Sequence, residues 1–276
     1  MAAPPVALTI AGSDPSGGAG IQADLKTFSA LGAFGTSVIT ALTAQNTQGV
    51  TGVHVVPVDF VRAQFETLVS DVRIDAIKIG MLAGADLAKE VGALLTEYRG
   101  QRATDGLDPV AIVLDPVMVA TSGDRLLDEN AIAALRDLLP LVDIVTPNLP
   151  EAAVLLDTEP ASGIDEMTAQ AQRLRELGVK AALVKGGHRL DEAATDILAD
   201  ASGVVHLTSR LIDTNNTHGT GCTLSSALAA LRPQRADWRT TVTDAKNWLT
   251  EALAHADELE IGHGHGPVHH FHALWH

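Results

Sequence analysis

Cys222, the single cysteine of the 276-residue chain, stands in the run Asn216-Thr217-His218-Gly219-Thr220-Gly221-Cys222-Thr223, between a strand-like stretch and the helical run Leu224 to Leu231. Strand, glycine turn and helix in that order leave free amides at the helix start, where an anion is the natural occupant. Gly219 and Gly221 let the backbone approach such an anion closely, with Thr220 between them. The positive end of the helix is expected to lower the thiol pKa from its ordinary value of about 8.5, so that Cys222 could accept a hydroxyl proton as a thiolate. The plainer use of a cysteine among small residues is to fill space under a helix. The glycines around Cys222 favour the chemical use.

Other strand ends carry groups of matching chemistry. Val113-Leu114-Asp115-Pro116-Val117-Met118 and Thr146-Pro147-Asn148-Leu149-Pro150-Glu151 each end an apolar run in a carboxylate. Asp115 and Glu151 together suit magnesium, which takes few protein oxygens and keeps waters and phosphates. They can equally be a strand terminator before proline and a first-turn helix carboxylate. Lys185, in Val184-Lys185-Gly186-Gly187-His188, is placed to offset phosphate charge at short range. Near the amino terminus, Ala11-Gly12-Ser13-Asp14-Pro15-Ser16-Gly17-Gly18-Ala19-Gly20 follows the first strand-like run. Its glycines allow a tight turn beside a ligand, but the segment lacks the glycine, lysine and hydroxyl pattern of a phosphate loop, which excludes a Walker-type ATPase. Gln45, in Ala44-Gln45-Asn46-Thr47, offers a donor and an acceptor together. It suits a ligand that carries both an acceptor and a donor, or the backbone of its own loop.

The Gly219-Thr220-Gly221-Cys222 run resembles the anion-hole signature of the ribokinase-like kinases, in which the last position is usually aspartate. Cysteine there resembles the branch of hydroxymethylpyrimidine/phosphomethylpyrimidine kinases of thiamine biosynthesis. The amino-terminal loop and Val38-Ile39-Thr40-Ala41-Leu42-Thr43-Ala44-Gln45-Asn46-Thr47 are similar to that branch's substrate motifs, and the resemblance runs from about Val6 to His272. It implies a three-layer α/β/α ribokinase-like fold with a mostly parallel central sheet. It also implies ATP and Mg2+ as cofactors, phosphorylation of 4-amino-5-hydroxymethyl-2-methylpyrimidine and then of its monophosphate, and a homodimer. By the same resemblance Gln45 recognises the pyrimidine, and Gly12, Asp24 and Met81 lie near it. Lys185, Asn148, Glu151 and Asp115 face the nucleotide, Asp115 and Glu151 with the metal, and Cys222 is the base. Two rivals remain open: a pyridoxal or pyridoxine kinase, and a non-catalytic ligand-sensing module on the same fold.

The elements that must position these residues are legible as alternation. Apolar β-branched runs at Val6 to Ala11, Ser37 to Leu42, Val53 to Val56, Ala76 to Ile79, Ala111 to Leu114, Asp143 to Thr146, Ala181 to Val184, Asp196 to Leu198 and Val204 to Leu207 predict strands. Helical spacing falls at Ala19 to Leu31, Asp59 to Val72, Ala85 to Tyr98, Glu129 to Leu138, Glu166 to Leu177, Thr223 to Leu231 and Asp237 to Leu259. Alternation of this kind predicts an α/β fold whose parallel sheet is covered on both faces, with ligands gathering beyond the carboxyl ends of the strands. Gly100 to Asp108 is expected to be an exposed polar loop. No linker composition divides the chain, so a single domain over 1–276 is expected.

Hydrophobic residues make up 46% of the chain and aromatics only 3%, which suits close-packed helices on an aliphatic sheet. The formal charge of -15 speaks against nucleic acid or anionic lipid as a partner. One cysteine permits no internal disulfide, and with no membrane span or signal segment a cytoplasmic location is expected. Six of eleven histidines crowd the end of the chain, at His263, His265, His269, His270, His272 and His276. They resemble the closing tail of the same kinase branch and are expected to be structural rather than a zinc site.

Overall fold

The computed structural model describes residues 3–118, 129–187 and 193–275. His188 and His276 lie outside them. Eight strands form one sheet in the order β10-β9-β8-β7-β6-β5-β1-β2. They are β1 (Val6–Ala11), β2 (Phe34–Ile39), β5 (Ala76–Ile79), β6 (Ala111–Leu114), β7 (Ile144–Val145), β8 (Ala181–Val184), β9 (Ala193–Asp200) and β10 (Gly203–Arg210). From β2 to β8 every pairing is parallel, while β9 and β10 add antiparallel strands at one edge. Short runs such as Ala-Ile-Lys-Ile and Ala-Ala-Leu-Val are buried along their whole length, as parallel strands covered on both faces require.

Two helical layers cover the sheet. On one face lie α2 (Val58–Val69), α3 (Ala85–Thr104), α4 (Glu129–Leu138), α5 (Leu149–Leu156) and α6 (Ile164–Glu176). On the other lie α1 (Gly20–Ala30), α7 (Thr220–Leu231) and α8 (Trp238–Ala254). In α4 the buried residues Ala131, Ala134, Leu135 and Leu138 follow helical spacing, so one stripe meets the core. The sheet divides its side chains by parity: Leu8, Ile10, Ile77 and Ile79 enter the first core, Ala7 and Ala76 the second. Each fully buried aliphatic side chain contributes roughly 2 kcal/mol of apolar burial. The sheet is thereby a rigid platform. All parallel strands end on one edge, where the site residues gather.

The structure departs from the sequence-based reading in three places. Ser37 to Leu42 is not one strand: β2 stops at Ile39, and β3 (Ala41–Asn46) pairs with β4 (Gly49–Val55) in a separate two-stranded ribbon. Thr40 is the corner, giving its amide to the Ala11 carbonyl, its hydroxyl to the Met81 carbonyl and accepting the Val56 amide on its own carbonyl. Second, Gly100 to Thr104 is the last turn of α3 rather than loop. Arg102 is buried there, with its guanidinium donating to the carbonyls of Ile74 and Asp108. Third, the last long helix ends at Ala254, and a 3-10 turn takes up Ala256–Leu259. Among the described residues, no helix is long and apolar enough to cross a membrane.

Candidate active site

Beyond the carboxyl ends of β1, β5, β6, β7 and β8 stand, in turn, Gly12, Met81, Asp115, Asn148 and Lys185. Helix α7 begins over the same edge. Gly219 caps it in the left-handed region at φ +77°, and an added Cβ there would collide with the Gly18 carbonyl oxygen. Only glycine lets the turn of α7 nest on the β1–α1 loop so closely. Asp14 closes that junction. Its carboxylate accepts the amides of Ser16, Gly18 and Ala19, the Ser16 hydroxyl, and the His218 Nε2 at 2.8 Å. Burial works against its charge, but His218, Ser16 and the amides outweigh it and hold the carboxyl down at about 2.

On one side of the α7 turn lie the candidate phosphate groups. Lys185 Nζ is 3.1 Å from Asp115 Oδ1, and a Cβ on Gly221 would stand 3.1 Å from the same ammonium. Asn148 and Glu151 form a reciprocal cap on α5, each side chain accepting the other's amide at 2.8 Å. This positions Glu151 against Asp115 and Lys185. Burial pushes the Glu151 carboxyl up to about 7; Lys185 opposes the rise and Asp115 adds to it. Burial likewise works against the Lys185 ammonium, yet Asp115 and Glu151 raise its pKa above the ordinary value. Asn148 thus serves first as the cap of α5.

On the other side lie the candidate substrate groups. Met81 packs on Gly12, where an added Cβ would meet its Cε at 2.5 Å. The Gly12 carbonyl accepts the Ile21 amide at the start of α1. Gln45 Nε2 lies 3.4 Å from His218 Nε2, and both line a small cleft with Asn46, Thr47, Gln48 and His265. The closing segment seals this rim. The Gly264 amide donates to the Thr47 hydroxyl, the His265 amide to the Thr47 carbonyl, and the His218 amide to the Gly266 carbonyl. His270 Nε2 lies 3.0 Å from the Thr223 hydroxyl. Among the described residues no group of three or more His, Cys, Asp and Glu could hold a metal ion.

Two expectations are corrected. Asp24 does not line the cleft: it is 0% exposed, and its carboxylate accepts Lys78 Nζ on both oxygens at 2.9 Å, Thr9 Oγ1 at 2.6 Å and Ser226 Oγ at 2.5 Å. Its acceptor sites are filled within the protein, leaving none for a substrate. Cys222 is half-buried, but its thiol is not lowered. Burial pushes it up to about 12; Lys78 opposes the rise, and Asp115 and Asp24 add to it. Desolvation of the thiolate outweighs the helix terminus here. Lys78, Thr9, Ser226, Asp14 and His218 were given no role by the sequence reading. A charge inside the apolar run Ala76 to Ile79 was the one signal that could have drawn attention to Lys78.

The family described as Phosphomethylpyrimidine kinase matches residues 14–269. The chain belongs to that family. It is 57% identical over 270 residues to the hydroxymethylpyrimidine/phosphomethylpyrimidine kinase of Escherichia coli K12, covering 98% of each chain. It is 49% identical to a thiamine biosynthesis multifunctional protein of Corynebacterium efficiens, covering 98% of this chain and 35% of that protein. Its fold superposes on an ADP complex of Bacillus subtilis pyridoxal kinase with a TM-score of 0.87 at 34% identity, covering 99% of each chain. The architecture is therefore the ribokinase-like one that the glycine turn implies, and the phosphomethylpyrimidine kinase family makes the chain an enzyme, a kinase of thiamine biosynthesis.

Proposed function

We propose that this kinase transfers the γ-phosphoryl group of ATP to the hydroxymethyl group of 4-amino-5-hydroxymethyl-2-methylpyrimidine, and then phosphorylates the monophosphate. The observation that carries the reading is the place of the α7 turn, with Lys185 and Asp115 against Gly221 on one side and Gln45 against His218 on the other. In the first step the alcohol oxygen forms a bond to the γ-phosphorus while the bond from that phosphorus to the β-bridging oxygen breaks, and ADP leaves. The alcohol proton passes to the Cys222 thiolate. The amides of Gly219, Gly221 and Cys222 and the Lys185 ammonium stabilise the charge spread over the transferring group, while the Thr220 amide is taken by the Thr217 carbonyl. In the second step a phosphate oxygen of the monophosphate takes the place of the alcohol. Gln45 presents its carboxamide to the amino group and ring nitrogen of the pyrimidine.

The carboxylates fit a magnesium ion. Burial pushes Glu151 up to about 7, with Lys185 opposing the rise and Asp115 adding to it, and a cation at its oxygens would favour the charged form. Asp115 and Glu151 would hold the ion, whose contribution is to neutralise phosphate charge. The chain works in the cytoplasm as a homodimer. The β3–β4 ribbon supports this: Leu42 on one face, and Val53 and Val55 on the other, are 48%, 46% and 44% exposed, and a lone two-stranded ribbon gains little from burial unless another surface covers it.

A second reading, a pyridoxal kinase, is favoured by the likeness to the Bacillus subtilis enzyme. The deciding experiment is nucleotide consumption with each alcohol, the products weighed by mass spectrometry. The pyrimidine is expected to give the higher kcat/KM, with both phosphorylated products formed. A higher kcat/KM for pyridoxal would overturn the assignment, and no ATP turnover with either alcohol would leave only a binding module.

A further inference from the structure

Lys78 is a charge placed where strand chemistry disfavours one. It sits in register with Thr9 of β1, and the two-residue period turns both side chains towards α1 and α7. There it is 0% exposed, with Asp24 as its ion-pair partner. Burial works against the ammonium, but Asp24, with Cys222 and Asp115, outweighs it and raises the pKa above the ordinary value. A buried pair of this kind is a poor source of net stability, because desolvation offsets the attraction. Its location calls for another reason.

The reason lies in the two helices above it. Cys222 and Ser226 are one turn apart on α7, and Gly20 and Asp24 one turn apart on α1, so each pair shares a helix face. The faces are bonded at the lower level, where the Ser226 hydroxyl donates to the Asp24 carboxylate at 2.5 Å. Lys78 closes the lower level from the sheet. The charged groups facing the sulfur are Lys78 from β5, Asp24 from α1, Asp115 beyond β6 and Lys185 beyond β8. Two of these groups are cations, and each offsets negative charge at the sulfur.

We propose that Lys78 is a positioning residue for the phosphoryl transfer: locked by Asp24, it stands beneath the start of α7 and offsets the negative charge borne by Cys222 Sγ. The proposal rests on the reading of Cys222 as proton acceptor, and the test separates the two. Because Cys222 is the only cysteine, its alkylation by iodoacetamide, in which the thiolate displaces iodide, reports on that sulfur alone. Lys78→Met leaves Asp24 buried and uncompensated and is expected to fold poorly. The double variant Lys78→Met/Asp24→Asn removes both buried charges at nearly constant volume and leaves a carboxamide to which one of the Thr9 and Ser226 hydroxyls donates while the other accepts.

In the folded double variant, alkylation at pH 8.5 is expected to slow about tenfold, because Lys78 acts on the sulfur more strongly than Asp24 does. Across a pH series the rate curve moves to higher pH. With ATP and the pyrimidine, kcat is expected to fall by about tenfold or more while the pyrimidine KM stays within about threefold. Unchanged alkylation in the folded double variant refutes the role of Lys78. Slower alkylation with unchanged kcat upholds the coupling of Lys78 to the sulfur and removes Cys222 from the chemistry instead.

Discussion

A thiol that ionises only at high pH is a demanding choice of proton acceptor, and that demand is specific to Cys222. With its pKa pushed up to about 12 by burial, the thiolate is a small fraction of the free enzyme near neutrality, and that fraction rises tenfold with each pH unit. The logarithm of kcat/KM for the pyrimidine is therefore expected to climb with a slope near one between about pH 7 and 9.5. A level profile across that range would exclude thiolate catalysis in the free enzyme. Cys222→Ala is expected to lower kcat by roughly 10²- to 10⁴-fold, the usual worth of a positioned base, with little change in KM. Steady-state kinetics of this variant checks the assignment, and near wild-type turnover would refute it.

Among the elements, the junction of the β1–α1 loop with the start of α7 bears most of the site's geometry. Gly219 is left-handed and presses on the Gly18 carbonyl, so Gly219→Ala must strain the turn and push the two segments apart. A loss of roughly 1–3 kcal/mol in unfolding free energy is expected, with kcat lowered because the amides lose their aim. Gly163, the extended cap of α6 with open space around it, is the control: Gly163→Ala should change stability by only about 0.5 kcal/mol or less. Asp14 fastens the same junction. Its carboxyl is held at about 2, below its unfolded value of about 3.9, so the paired carboxylate contributes roughly 2 kcal/mol at pH 7. That contribution is complete above about pH 4 and is lost as pH falls towards 2. Urea unfolding at pH 7 and at pH 2.5 should show a smaller difference in Asp14→Asn than in the native chain; equal differences would exclude this role.

At the scale of the molecule, one sheet supports the phosphate side of the site while the β3–β4 ribbon, which carries Gln45, stands apart from it. Thr43 ties the ribbon to the substrate loop, its hydroxyl donating to the Ser13 carbonyl and its amide to the Ser13 hydroxyl. Covering the ribbon in a dimer would therefore steady Gln45 as well as bury apolar surface. Charges introduced on both faces, in Leu42→Glu/Val53→Lys, are expected to yield monomers in sedimentation velocity, with unchanged helix and sheet content by circular dichroism and a raised pyrimidine KM. A native chain that sediments as a monomer would dispose of the dimer directly.

Local chemistry determined a large part of this protein before any fold was known. The strands Val6–Ala11, Ala76–Ile79, Ala111–Leu114 and Ala181–Val184 were legible to the residue, because buried parallel strands are short apolar runs bounded by breakers. The glycine turn into α7 was legible too, since positive φ leaves a signature in residue type, but the helix starts at Thr220, three residues before the expected Thr223. The tertiary structure alone decided the charges. The sequence reading set Asp24 beside the pyrimidine and lowered the Cys222 thiol by its helix; packing placed Lys78, Thr9 and Ser226 around the carboxylate and desolvated the half-buried sulfur. Chain propensity acts over a few residues. The energy of a buried charge depends on neighbours brought from strands and helices up to 202 positions away, and only the folded chain supplies them.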